Sequence, residues 1–182
     1  PQLFMIRLIF SVVLIVPPSL TMAQVIIPRA PDIAANSYVL LDAQTGQILV
    51  EENADEPLPP ASLTKIMTAY IAIEEIINGN LELADQVHIS EKAWRMEGSK
   101  MFVDVNSQVS VEDLLRGIII QSGNDASVAI SEHIAGSEEA FADMMNQYSE
   151  VLGMKDSFFM NASGLDTDCL LYTSDAADDD HC

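Results

Sequence analysis

Apolar positions along this chain first run together, then flank a turn, then recur at helical spacing. The earliest run, residues 8–16, is apolar except for Ser11. Further on, Tyr38-Val-Leu-Leu41 and Gln47-Ile-Leu-Val50 flank Ala43-Gln-Thr-Gly46. Apolar, β-branched stretches around a turn that bears glycine predict a β-hairpin over 37–51. From Ser62 the period changes. Leu63, Ile66, Met67, Tyr70, Ile71, Ile73, Ile76 and Ile77 recur as far as Asn78, and Gly79 stands where a helix stops. These positions cover most of the circumference, and a helix apolar nearly all round is expected at the centre of a core.

Beyond it, residues 86–90 and 101–105 read as short strands. Ser110-Val-Glu-Asp113 has the form of a capping box and opens a helix through Val111, Leu114, Leu115 and Ile118. A second helix is expected from Asp125 to about Ile134, and a third over 138–152, closed by Gly153. Between the first two lies Ser122-Gly-Asn124. Past the hairpin the chain is mostly helical, and it has no internal repeat.

Charge and composition exclude several functions. The chain has 182 residues, enough for one domain, and a formal charge of −20 from 8 basic and 28 acidic residues. Such a chain repels nucleic-acid phosphates, and it has no basic run to hold it to an anionic membrane. The only cysteines are Cys169 and Cys182, and His88, His133 and His181 are scattered. No disulfide framework, metal site or cofactor is expected.

The early apolar run has the layout of a secretory signal. Met5 reads as the start, Arg7 as the positive region, and Thr21-Met-Ala23 as the cleavage site. The run is too short to span a bilayer, which takes about 20 residues. Residues 1–23 are therefore expected to direct export, with 1–4 upstream of the true start. Residues 169–182 have no amphipathic period and no turn joining them to what precedes, and read as a non-native tail.

Two short motifs hold candidate chemistry. In Ser62-Leu-Thr-Lys65 the serine and lysine lie one helical turn apart on one face. A serine becomes a nucleophile beside a base, and a neutral lysine can serve. Bringing a lysine from about 10.4 to near neutrality takes about 4–5 kcal/mol, which burial and a second cation could supply. Taken alone the tetrapeptide reads better as a capping serine followed by a solvated lysine. Ser122-Gly-Asn124 could relay a proton through its hydroxyl and hold a carbonyl with its amide, or could be a plain helix–helix turn. His133 reads as structural, the neighbours Glu74 and Glu75 point to different faces and form no acid–base pair, and Trp94 and the methionines are expected in the core.

Longer stretches decide between these alternatives. Residues 60–69, which contain Ser62 and Lys65, and residues 109–126, which contain Ser122 and Asn124, closely resemble the serine D-alanyl-D-alanine carboxypeptidases. These are low-molecular-mass penicillin-binding proteins with SxxK, SxN and KTG motifs. Residues 38–46, 152–154 and 161–166 resemble the same family, so the likeness covers about 35–166.

The resemblance implies an α+β fold of three layers (α/β/α), β-lactamase/DD-peptidase-like, in which an antiparallel sheet carries a helical subdomain. Residues 24–168 would be the amino-terminal part of that catalytic domain. Ser62 would be the acylated nucleophile, Lys65 its general base, Ser122 a catalytic proton relay and Asn124 a substrate-binding group. The substrate would be a peptidoglycan stem peptide, β-lactams would be covalent inhibitors, no cofactor would take part, and the enzyme would work in the periplasm. No Lys-Thr-Gly or Lys-Ser-Gly occurs in the chain. The later strands, the small C-terminal domain and the terminal amphipathic membrane helix of the family are missing too, so the fold is expected to be incomplete and this chain inactive by itself. The runners-up are a serine β-lactamase on the same fold, which usually has Asp where this chain has Gly123, and a non-catalytic penicillin- or wall-binding homologue.

Overall fold

The structure, a computed structural model, describes residues 32–165. The signal expected over 1–23, the tail expected over 169–182, both cysteines and His181 lie outside the described residues. The chain divides into two compact units at residue 54.

The first unit contains the predicted hairpin. Strand β1 (Tyr38–Leu41) pairs antiparallel with β2 (Ile48–Glu52), with Tyr38 opposite Glu52 and a bulge between Leu40 and Leu41. Asp42 closes the turn: its Oδ1 accepts from the backbone N–H groups of Thr45 (2.8 Å) and Gln44 (3.0 Å) and from the Thr45 hydroxyl (2.9 Å). The Thr45 N–H and the other donors hold the Asp42 carboxyl below the usual carboxylate range.

The second unit is mainly helical. A 3-10 turn at Ala61–Leu63 runs into α1 (Thr64–Ile77). Strand β3 (Gln86–His88), α2 (Glu91–Arg95) and β4 (Gln108–Ser110) follow, then α3 (Val111–Gln121), α4 (Asn124–Ala135) and α5 (Glu138–Val151). β3 and β4 pair antiparallel, so the described residues contain two separate two-stranded sheets.

The centre of this unit is α4. It packs against α1, α2, α3, α5 and β3, and every residue in 124–131 is buried. The sequence pointed instead to α1. Among the described residues α1 buries one flank only, and Leu63, Ile66, Ile73 and Ile77 are exposed. Small side chains, beside the fully buried Val128 and Ile130, admit α4 to the centre. Ala126 and Ala129 let neighbours approach closely, and Ser127 and Ser131 hide their hydroxyls on the carbonyls of Gly123 and Val128 (both 2.8 Å).

Residues 101–105 are not a strand. The backbone N–H groups of Met101, Phe102 and Val103, which a ladder would have used, donate to the Asp125 carboxylate at 3.0, 2.9 and 3.3 Å. The partner of β3 is 108–110 instead. Helix α2 is an element that the pattern missed, because it has five residues and one buried side chain, Ala93; Ser90 caps it by accepting from Ala93 N–H at 3.0 Å. So short a helix leaves Trp94 43% exposed, not in the core. The capping box at α3 forms in a modified way. Ser110 Oγ accepts from Asp113 N–H (3.1 Å) and donates to the Asp113 carboxylate (2.8 Å).

Candidate active site

Ser62 sits on the 3-10 turn, one turn ahead of α1 and exposed, rather than capping that helix. Lys65 lies in the first turn of α1 and is 5% exposed. Its Nζ donates to Ser62 Oγ at 3.3 Å and to the backbone carbonyl of Ser163 at 2.7 Å. Removal from water lowers the pKa of Lys65, because burial penalises the ammonium form. Burial alone produces this shift; the second cation allowed for in the sequence is not among its causes. A neutral amine here keeps one N–H on Ser163 O and turns its lone pair to the serine hydroxyl, which then becomes the donor.

Ser122 ends α3 in the left-handed region (φ 55°, ψ 39°), and Gly123 N–H donates to Gly117 O at 3.0 Å. This bend is fixed from behind. Asn124 N–H donates to Ser99 O (2.7 Å), and its side-chain amide donates to Glu97 O (2.6 Å). The Asp125 carboxylate, 1% exposed, accepts from Ala126 N–H (2.9 Å) besides the three N–H groups of 101–103. A β-carbon at Gly123 would stand 2.9 Å from Asp125 Oδ1 and 3.2 Å from Met101 N, so the bend has no room for one.

Ser62, Lys65 and Ser122 open onto one cavity of about 460 Å³, with Ile66, Tyr70 and Ile118 among its apolar walls. Asn124 is not in that lining, since its amide is turned to Glu97. Three of the four expected site residues therefore meet, and the fourth braces the bend that carries Ser122. His133 is exposed in the last turn of α4, away from the cavity. Among the described residues no three His, Cys, Asp or Glu side chains gather as a metal ion would need.

Two parts of the site had no role in the sequence reading. One is Asp125, whose signal was a carboxylate directly after Ser-Gly-Asn at the head of a helix. The other is the loop at 161–165. Its carbonyls at Ala162 and Ser163 accept from Thr68 Oγ1 (2.7 Å) and Lys65 Nζ, so it is laced to α1. Its N–H groups donate to carboxyl and amide oxygens. Ala162 N–H goes to Glu138 (3.0 Å), and those of Ser163 (3.1 Å) and Gly164 (2.7 Å) go to Asn161 Oδ1. Glu138 is itself held by Lys92 at 3.0 Å.

A family model described as D-alanyl-D-alanine carboxypeptidase matches residues 24–178. The D-alanyl-D-alanine carboxypeptidase DacC of Escherichia coli is 43% identical over 144 residues, which are 76% of this chain and 36% of that protein. The chain thus spans about a third of the length of this relative. The solved D-alanyl-D-alanine carboxypeptidase DacD of Francisella tularensis superposes with a TM-score of 0.75 at 44% identity, covering 78% of this chain and 34% of that one. Penicillin-binding protein D2 of Listeria monocytogenes, solved in its ampicillin-bound form, superposes at 0.69 with 29% identity, covering 78% of this chain and 56% of that one. The α+β arrangement of the chain is therefore that of the penicillin-binding DD-peptidases.

Proposed function

The chain belongs to the D-alanyl-D-alanine carboxypeptidase family, and from that premise we propose that it carries the acylating machinery of a serine carboxypeptidase acting on peptidoglycan stem peptides. Ser62 attacks the carbonyl of the penultimate D-alanine. Lys65 takes the hydroxyl proton, and Ser122, on the same cavity, passes a proton to the departing amine. The C–N bond breaks, the terminal D-alanine leaves, and water hydrolyses the Ser62 ester. β-Lactams acylate the same oxygen, and Asn124 contributes through the bend it braces. The protein acts after export, on the periplasmic face of the inner membrane.

The observation that supports this best is a buried lysine whose Nζ lies 3.3 Å from an exposed serine hydroxyl on a shared cavity. Burial penalises the ammonium form of Lys65 and so favours the neutral amine that a base requires. Gly123 favours a carboxypeptidase over a β-lactamase, because the aspartate usual in lactamases would meet the Asp125 carboxylate there.

Labelled penicillin, followed over time on the protein expressed from its own gene, tests the assignment. Slow release of label is expected, and Ser62→Ala should abolish labelling while the fold persists. Rapid release would show a β-lactamase, and no labelling a binding module. The 182-residue chain taken alone is inactive in this reading, since it has no Lys-Thr-Gly cation for the substrate carboxylate. Release of D-alanine from a diacetyl-Lys-D-Ala-D-Ala peptide by residues 24–182, lost on Ser62→Ala, would refute that.

A further inference from the structure

We propose that Asn161 is a positioning residue for Lys65, acting through the single peptide group that joins Ser163 to Gly164. The role deepens the proposed function and rests on Lys65 being its base. The carbonyl of that peptide accepts from Lys65 Nζ at 2.7 Å, and its N–H donates to Asn161 Oδ1 at 2.7 Å. A peptide hydrogen-bonded at both ends is polarised, so each bond strengthens the other. Asn161 is thus coupled to the lysine without touching it.

The same amide oxygen accepts from Ser163 N–H at 3.1 Å and from Ser163 Oγ at 3.3 Å, and Asn161 Nδ2 donates to Leu165 O at 3.0 Å. Asn161 is 9% exposed and Ser163 1%, so these groups have no ready replacement in water. Together the bonds fix the direction in which Ser163 O points. That direction selects which N–H of Lys65 is held, and hence where a neutral amine aims its lone pair. An asparagine suits this task. Its oxygen gathers three donors, its nitrogen closes the loop, and it brings no charge. A carboxylate at the same place would keep the acceptor but, one peptide away, would favour the ammonium form of Lys65.

Several ionisable groups on the surrounding elements are already engaged. Asp125 at the head of α4 is occupied by four N–H groups, and Glu138 at the head of α5 by Ala162 and Lys92. Arg116 of α3 pairs with Glu112 at the surface, within the first turns of that helix, with Asp113 beside them at the opposite end from Ser122. Tyr70, on α1 itself, lines the cavity.

The test uses Asn161→Asp and Asn161→Ala in the protein expressed from its own gene. The titration of Lys65 is followed by NMR of lysines labelled at Cε, assigned with Lys65→Arg, and penicillin acylation of Ser62 is followed against pH. Asn161→Asp is expected to raise the Lys65 midpoint by about half a pH unit or more. The rising limb of acylation should move with it, and the high-pH plateau should stay within about threefold of wild type. Asn161→Ala is expected to lower that plateau by about tenfold or more. An unchanged Lys65 midpoint in the aspartate variant overturns the proposal, as does a fall in thermal stability with an unmoved pH profile. The NMR titration reports on the proposal even if penicillin fails to label Ser62, an outcome that would count against the function and not against Asn161.

Discussion

Gly164→Ala tests how closely the loop at 161–165 is seated on the turn that bears Ser62. Gly164 has φ +71°, a conformation that costs an L-residue about 1–2 kcal/mol. A β-carbon there would lie 1.8 Å from Ala61 O, 2.6 Å from Ala61 C and 2.6 Å from Thr64 Oγ1. Two of these atoms are backbone, so no rotamer change relieves the contact. Opening 1.8 Å to the 3.0 Å below which real β-carbons are essentially never found requires a displacement of at least about 1.2 Å. Overpacking of this kind adds about 1–3 kcal/mol, for a total near 2–5 kcal/mol out of a stability of about 5–15 kcal/mol. The melting temperature should fall by roughly 5–15 °C. The movement separates Ser163 O from Lys65 or displaces Ser62, and a misplacement of about 1 Å costs on the order of 10²-fold in rate. Stopped-flow acylation with a fluorescent penicillin and a thermal melt read both effects. Gly79→Ala is the control. Gly79 has φ +76° but nothing within 4 Å of its would-be β-carbon, so it should lose about 1 kcal/mol and acylate normally. Acylation by Gly164→Ala within about twofold of wild type, with an unchanged melt, would refute the reasoning.

Lys65→Arg keeps the charge but cannot lose a proton, so acylation should fall on the order of 10²-fold or more; a near-normal rate would mean another group is the base. The lowered pKa of Lys65 also makes stability depend on pH. Between that lowered value and 10.5 the unfolded chain binds more protons than the folded one, so stability rises with pH through this window. Urea midpoints of wild type should therefore gain on those of Lys65→Met, which cannot titrate, as pH is raised from 7 to 10. A constant difference between the two would show that burial does not shift the lysine.

Much of this protein was legible in its amino-acid order because the signals were local. The hairpin follows from two apolar runs and the Asp42–Gly46 turn, and α1, α3 and α5 from apolar spacing with Gly79, Ser110 and Gly153 at their ends. Ser62 and Lys65 had to share a face wherever they fell in a helix, since three residues make nearly one turn. The tertiary structure decided what no neighbourhood in sequence contains. Only packing shows that α4, whose buried positions include Asn124, Asp125, two alanines and two serines beside Val128 and Ile130, lies at the centre while α1 leaves isoleucines exposed, because burial depends on what surrounds a helix and not on its own apolar content. Residues 101–103 pattern as a strand but give their N–H groups to Asp125, 22 to 24 positions along the chain. The orientation of Lys65 depends on Ser163, 98 residues away, and through one peptide on Asn161. Hydrogen bonds across such distances in sequence arise when the chain folds back on itself, and no periodicity or spacing encodes them.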